Sequence, residues 1–113
     1  MVKPPKMFEV GNRLYSLVLE SNPDSPEGQK VWGYLEPTEL QLVLDADMQP
    51  GHMAEILVHE LLHAIFNDYP LSVRPPGASD VEEFYAGVGA RGLVKLFNRN
   101  PRLYSWWRHL MSA

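Results

Sequence analysis

Apolar positions recur with a strand's period of two in the first half of the chain and with a helix's period near 3.6 in the second. Residues 13–20, Arg13-Leu14-Tyr15-Ser16-Leu17-Val18-Leu19-Glu20, are rich in apolar and aromatic residues and predict a strand. Asn22-Pro23-Asp24 and Ser25-Pro26-Glu27-Gly28 then mark an exposed loop. Val31 to Leu35 predicts a second strand, Glu36-Pro37-Thr38 a turn, and Glu39 to Asp45 a third strand in which Leu40, Leu42 and Leu44 alternate with more polar neighbours. The short connections favour a small antiparallel sheet of about three strands. The stretch 39–45 reads as an edge strand able to take up an extended peptide by strand addition.

Pro50, preceded by Asp47-Met48-Gln49, marks a helix start, because its missing N–H costs nothing in a first turn. The helix is expected to run to about Asn67. On a wheel with His59 at zero, Ala54, Val58, Leu61, Leu62 and Ile65 fall between about 200° and 300°, the expected core face. His52, Ile56, His59, Glu60, His63 and Asn67 fall between zero and about 100°, beside it. Residues 68–79, with Tyr69-Pro70 and Arg74-Pro75-Pro76-Gly77, read as a loop. Ser79 or Asp80 suits the N-cap of a second helix that Asn98-Arg99-Asn100-Pro101 ends. A short last helix is expected over Leu103–Leu110, anchored by Trp106 and Trp107. The pattern is that of a single α+β domain over 1–113, with a flexible Pro/Lys arm at 1–6.

Composition narrows the class. The chain has 113 residues and 45% apolar content, which suits one ordered domain with a modest core. It has no cysteine, which excludes a disulfide framework and thiolate metal sites. No run approaches the roughly 18 apolar residues of a membrane span. Met1–Lys6 leads into no apolar stretch, so no secretory signal is expected, and the expected compartment is the cytoplasm. The net charge is −4, with a surplus of basic residues after position 80. Those charges are spaced rather than blocked and read as a solvated helix face; no nucleic-acid partner is expected.

The chemistry concentrates in His59-Glu60-Leu61-Leu62-His63, an H-E-x-x-H sequence inside the first expected helix. Residues at i and i+4 share a helix face, so two imidazoles can serve one metal ion while Glu60 stands beside them as a general base. A catalytic zinc site takes three protein ligands and one water. The extended motif that supplies a third histidine needs glycine and histidine where this chain has Phe66 and Tyr69, so it is ruled out. A carboxylate at the head of the second helix is the alternative. With Val81 at zero, Tyr85, Ala86, Gly89, Gly92, Leu93, Leu96 and Phe97 form one face. Glu82 falls at about 100° within it and Glu83 at about 200°, at its edge. A carboxylate on an apolar face is costly unless a metal takes it up, which puts Glu82 first and Glu83 second as the third ligand. Gly89 and Gly92 would let this helix approach the first. His52 and His109 read as surface or helix-end residues, Asp68 and Asp80 as loop or cap residues, and Tyr85, Phe97, Trp106 and Trp107 as core.

His59-Glu60-Leu61-Leu62-His63-Ala64, a loop, and then Glu82-Glu83 heading a helix with Gly92-Leu93 and Asn98-Arg99-Asn100-Pro101 resemble the minimal gluzincin-type metallopeptidases of phages and bacteria. A more distant similarity is to the ImmA/IrrE-type peptidases. The resemblance spans about residues 39–101. It implies a zincin-like core, with a small antiparallel or mixed sheet packed on an active-site helix and a glutamate-bearing helix. It also implies Zn2+ held by His59, His63 and the downstream glutamate, with Glu60 as base. Larger members carry an acid one turn after the ligand glutamate; Ala86 or Gly87 stands there in this chain, so a ligand histidine is oriented by another group.

The expected activity is zinc-dependent hydrolysis of a peptide bond in a peptide or protein substrate, with Tyr69, Tyr85 and Tyr104 as candidate oxyanion donors. The alternative is a non-catalytic zincin-like module that binds or regulates a partner. The short chain leaves little material for a deep cleft and favours that alternative; the intact Glu60, which a structural zinc site does not need, favours the enzyme.

Overall fold

The structure, a computed structural model, describes residues 2–68 and 78–113; for Ala78, Ser79, Asp80 and Glu82 it describes the backbone alone. Most of the loop expected over 68–79 therefore lies outside the described residues. The elements are β1 (Met7–Val10), β2 (Arg13–Glu20), β3 (Gly33–Glu36), β4 (Gln41–Asp45), α1 (Pro50–Asn67), α2 (Ala78–Arg99) and α3 (Pro101–Ser112). The fold is α+β, with the helices packed on a mixed sheet of strand order β1-β2-β4-β3.

The fourth strand, β1, is an addition to the three expected. It pairs with β2 through the two-residue turn Gly11-Asn12, where Gly11 sits at φ 58°, a left-handed conformation that glycine takes without strain. The chain is seated on the sheet even earlier than the expected arm allows, since Pro5 is buried and the Leu17 N–H donates to the Lys6 carbonyl at 2.8 Å. Alternation then sorts the side chains. Phe8, Val10, Tyr15 and Leu17 point into the core, while Met7, Glu9, Leu14 and Glu20 stay exposed.

The sheet is mixed because β4 inserts between β2 and β3, parallel to the first and antiparallel to the second. The connection over 21–32 is long enough to carry β3 past one strand position, and β3 and β4 then fold back as a hairpin. The stretch 39–45 is thus central, not an edge, and β3 is the edge. Leu40 does not belong to the strand. It closes the turn at φ 53° and accepts a hydrogen bond from the Ser16 N–H at 2.9 Å. Val43 is buried although it points away from Leu42 and Leu44, as expected of a strand flanked on both sides.

The first helix has the bounds expected of it, with Pro50 in the first turn. Its buried arc is rotated from the expected one. Met53, Ala54, Leu57, Glu60, Leu61, Ala64 and Ile65 are buried, whereas Val58 and Leu62 are only half-buried. Leu62 flanks α2 instead, where a methyl added to Gly89 would lie 3.3 Å from it. One core joins the sheet to all three helices, with Val88 and Leu96 from α2 and Leu103, Trp106 and Leu110 from α3. Pro101 opens α3 rather than merely ending α2. Among the described residues, no helix is long and apolar enough to cross a membrane.

Candidate metal centre

The site starts from helical periodicity. His59 and His63 lie one turn apart on α1, on the side turned away from the core, and both are exposed. Their rings meet edge to face with centroids 4.9 Å apart and planes at 74°. A tetrahedral zinc ion bonded to two imidazole nitrogens at about 2.0–2.1 Å holds the ring centres roughly 5 Å apart. The spacing of the two rings matches that of a zinc-sharing pair.

Glu60 occupies a different environment although it is next in sequence to His59. A rotation of about 100° carries it from the exposed face to the rim of the buried arc, where it is 7% exposed. Burial pushes its carboxyl above the usual carboxylate range, while the neighbouring His59 and His63 pull in the opposite direction. The motif thus splits into two accessible imidazoles and one sheltered carboxyl beside them. A carboxyl with raised proton affinity beside two accessible imidazoles has the chemistry of a general base.

Among the described residues, no set of three His, Cys, Asp or Glu side chains is gathered around a point that could hold a metal ion. Glu83 is exposed and joins no such set with His59 and His63. The side chain of Glu82 lies outside the described residues, as does Tyr69. Two helix-to-helix relations bear on Glu82 nonetheless. Phe66, three residues after His63, packs its ring at 4.8 Å against Tyr85, three residues after Glu82. Gly92 lets α2 come so close to α1 that an added methyl would lie 2.5 Å from Ile65 Cγ2. The glycines on the second helix thus allow the close approach expected of them.

The remaining polar residues are distributed elsewhere. Tyr104 packs on α3 against Phe97 and Trp107, and His109 is exposed near the end of that helix. Asp68 caps α1 and pairs with Arg13 at 3.7 Å. His52 is half-buried, on the same helix face as His59, and meets the ring of Trp32 at 4.9 Å. Periodicity alone placed His52 on this face; only the tertiary fold brings Trp32 to it.

No protein-family model, curated protein or solved structure matches this chain.

Proposed function

We propose that the chain is a zinc-dependent peptidase in which His59 and His63 bind the metal, Glu82 completes the ligand set and Glu60 is the general base. The observation that carries this reading is the contrast within one helical turn: two exposed imidazoles with ring centroids 4.9 Å apart beside a glutamate that is buried. A structural zinc site has no use for that carboxyl. Helical phase puts Glu82 ahead of Glu83, because Tyr85, three residues on from Glu82 and so near it on the helix wheel, is the residue that meets Phe66 of α1.

Zinc bound there would polarise the scissile carbonyl and lower the pKa of a water molecule. Glu60 would accept a proton from the attacking water and return it to the departing amine. The sheltered position of Glu60 keeps it from competing as a fourth ligand while leaving it within one residue of His59. The strand β3, which pairs only with β4 among the described residues, lends its outer backbone edge to hold the peptide extended.

Metal analysis of the purified protein should return about one zinc per chain. His59→Ala and His63→Ala should lose it. Glu60→Gln should retain zinc and lose hydrolysis by about 100-fold or more. Glu82→Gln should release zinc where Glu83→Gln does not. If Glu60→Gln and wild type behave alike in every hydrolysis assay, the chain is a zincin-like binding module instead.

A further inference from the structure

We infer that Trp32 and His52 form a side-chain subsite at the start of the open sheet edge, which takes an aromatic side chain of an extended peptide. The occupied residue lies about three positions from the bond that is cut. The inference deepens the peptidase reading and rests on it for the position of the cut bond.

Trp32 is 55% exposed, an unusual placement for the largest apolar side chain. It is nevertheless held in place. Its carbonyl accepts the Asp45 N–H at 2.8 Å, and its ring meets the His52 imidazole at 70°. A fixed, exposed indole loses little conformational freedom when a ligand covers it. Beside it opens a cavity of about 260 Å³, which Trp32 walls together with Asn22, Lys30, Val31 and Asp45. Asp45 is already satisfied there by the N–H groups of Asn22 and Asp47, at 3.2 and 3.0 Å.

The backbone beside Trp32 is prepared for a strand. The bond from Asp45 to Trp32 makes that pair a hydrogen-bonded one in the β3–β4 ladder, so Tyr34 and Glu36 also turn their backbone groups toward β4. Gly33 and Leu35 therefore turn theirs outward. The opposite edge of the sheet is capped at Glu9, because the Asn100 side chain binds both backbone groups of that residue at 2.8 Å. An incoming peptide thus has β3 as its edge.

The distance to the metal pair follows from the two periodicities. Trp32 is level with His52, and Gly33 with Ile56, since a methyl added to Gly33 would lie 3.1 Å from Ile56 Cγ2. The strand and α1 thus advance in the same direction. His59 is about 10 Å beyond His52 along the helix axis. An extended peptide covers that distance in about three residues. With antiparallel addition to β3, the better-aligned of the two ladders, the residue on Trp32 lies on the carboxyl side of the cut bond.

The test uses zinc-loaded Glu60→Gln protein and fluorescein-labelled octapeptides of alanine and serine, with one phenylalanine moved position by position. Fluorescence anisotropy should show one position at which phenylalanine tightens binding roughly tenfold over alanine. Trp32→Ala in the same background should remove that gain with zinc content unchanged, and His52→Ala should reduce it. Wild-type protein should cut the preferred peptide about three residues from the phenylalanine. No preferred position, or a preference that survives Trp32→Ala, overturns the subsite. Cleavage without a Trp32-dependent preference overturns the subsite and leaves the peptidase reading standing. Trp32-dependent binding with no cleavage by wild type upholds the subsite and overturns the peptidase reading.

Discussion

The side-chain amide of Asn100 closes the β1 edge of the sheet by exchanging two hydrogen bonds with the backbone of Glu9, each 2.8 Å long. The same amide nitrogen also donates to the Leu96 carbonyl at the end of α2. One residue therefore ties the junction of the last two helices to the outermost strand, where an unpaired edge would invite other strands. Asn100→Ala should lower stability by about 1–2 kcal/mol. It should also make the chain self-associate as concentration rises. Denaturant titration and sedimentation measure the two effects. Asn98→Ala, at an exposed neighbouring position, should stay within about 0.5 kcal/mol of wild type. Equal midpoints for the two variants would show that the Asn100 bonds contribute nothing.

Glu60 should weaken the metal-free fold. Its carboxyl binds protons more tightly in the folded than in the unfolded chain, so the folded state holds more protons between the two pKa values. Stability then falls as pH rises from the ordinary glutamate value through the raised one, and the cost is full above it. Glu60→Gln should remove this fall. At neutral pH, in chelator, the variant should be more stable by up to about 1 kcal/mol, since partial access of water screens the cost. A wild type more stable than the variant at neutral pH would mean that the buried carboxylate is well satisfied.

The contact between Gly92 and Ile65 sets the spacing of α1 and α2. Alanine at 92 gains about 1 kcal/mol in helix propensity. Its methyl would lie 2.5 Å from Cγ2 of the buried Ile65, so that side chain has to shift. Overpacking of this kind costs about 1–3 kcal/mol. Gly92→Ala should therefore be destabilised on balance, and it should bind zinc more weakly if α2 carries the third ligand. Gly51→Ala, with open space around the added methyl, should be neutral or stabilising. Thermal melts and zinc titrations of both variants check the contrast.

Asp68 provides a second pH-dependent group, far from the histidine pair on the wheel of α1. Burial raises its carboxyl pKa, and Arg13 opposes the shift. Its position at the C-terminal end of α1 is also unfavourable for a negative charge. As with Glu60, the raised folded value means that stability declines as pH rises from the ordinary aspartate value upward. Asp68→Asn should flatten that decline in a series of melting temperatures against pH. If the variant melts lower than wild type at neutral pH, the Arg13 pair outweighs the burial cost.

Local order was largely legible along the chain. The strand over 13–20 and the helix over 50–67 have the bounds that alternation and Pro50 predict. Two histidines one turn apart must share a face of that helix whatever it packs against. The hairpin that opens the sheet also had a signal, Gly11-Asn12 between two short apolar runs, and so did the central strand, in the unbroken run Leu42-Val43-Leu44. Tertiary structure decided the rest, because pairing is non-local. The placement of β4 beside β2 depends on which strands compete for the same edge, and connection length alone does not settle that. The rotation of α1 depends on what lies across from each apolar residue, which is how Leu62 comes to flank Gly89 and Glu60 comes to be sheltered. The motif by itself specified two imidazoles and a carboxyl on one helix. Packing alone made the carboxyl buried and the imidazoles accessible, and it brought Trp32 to His52 across the sheet edge.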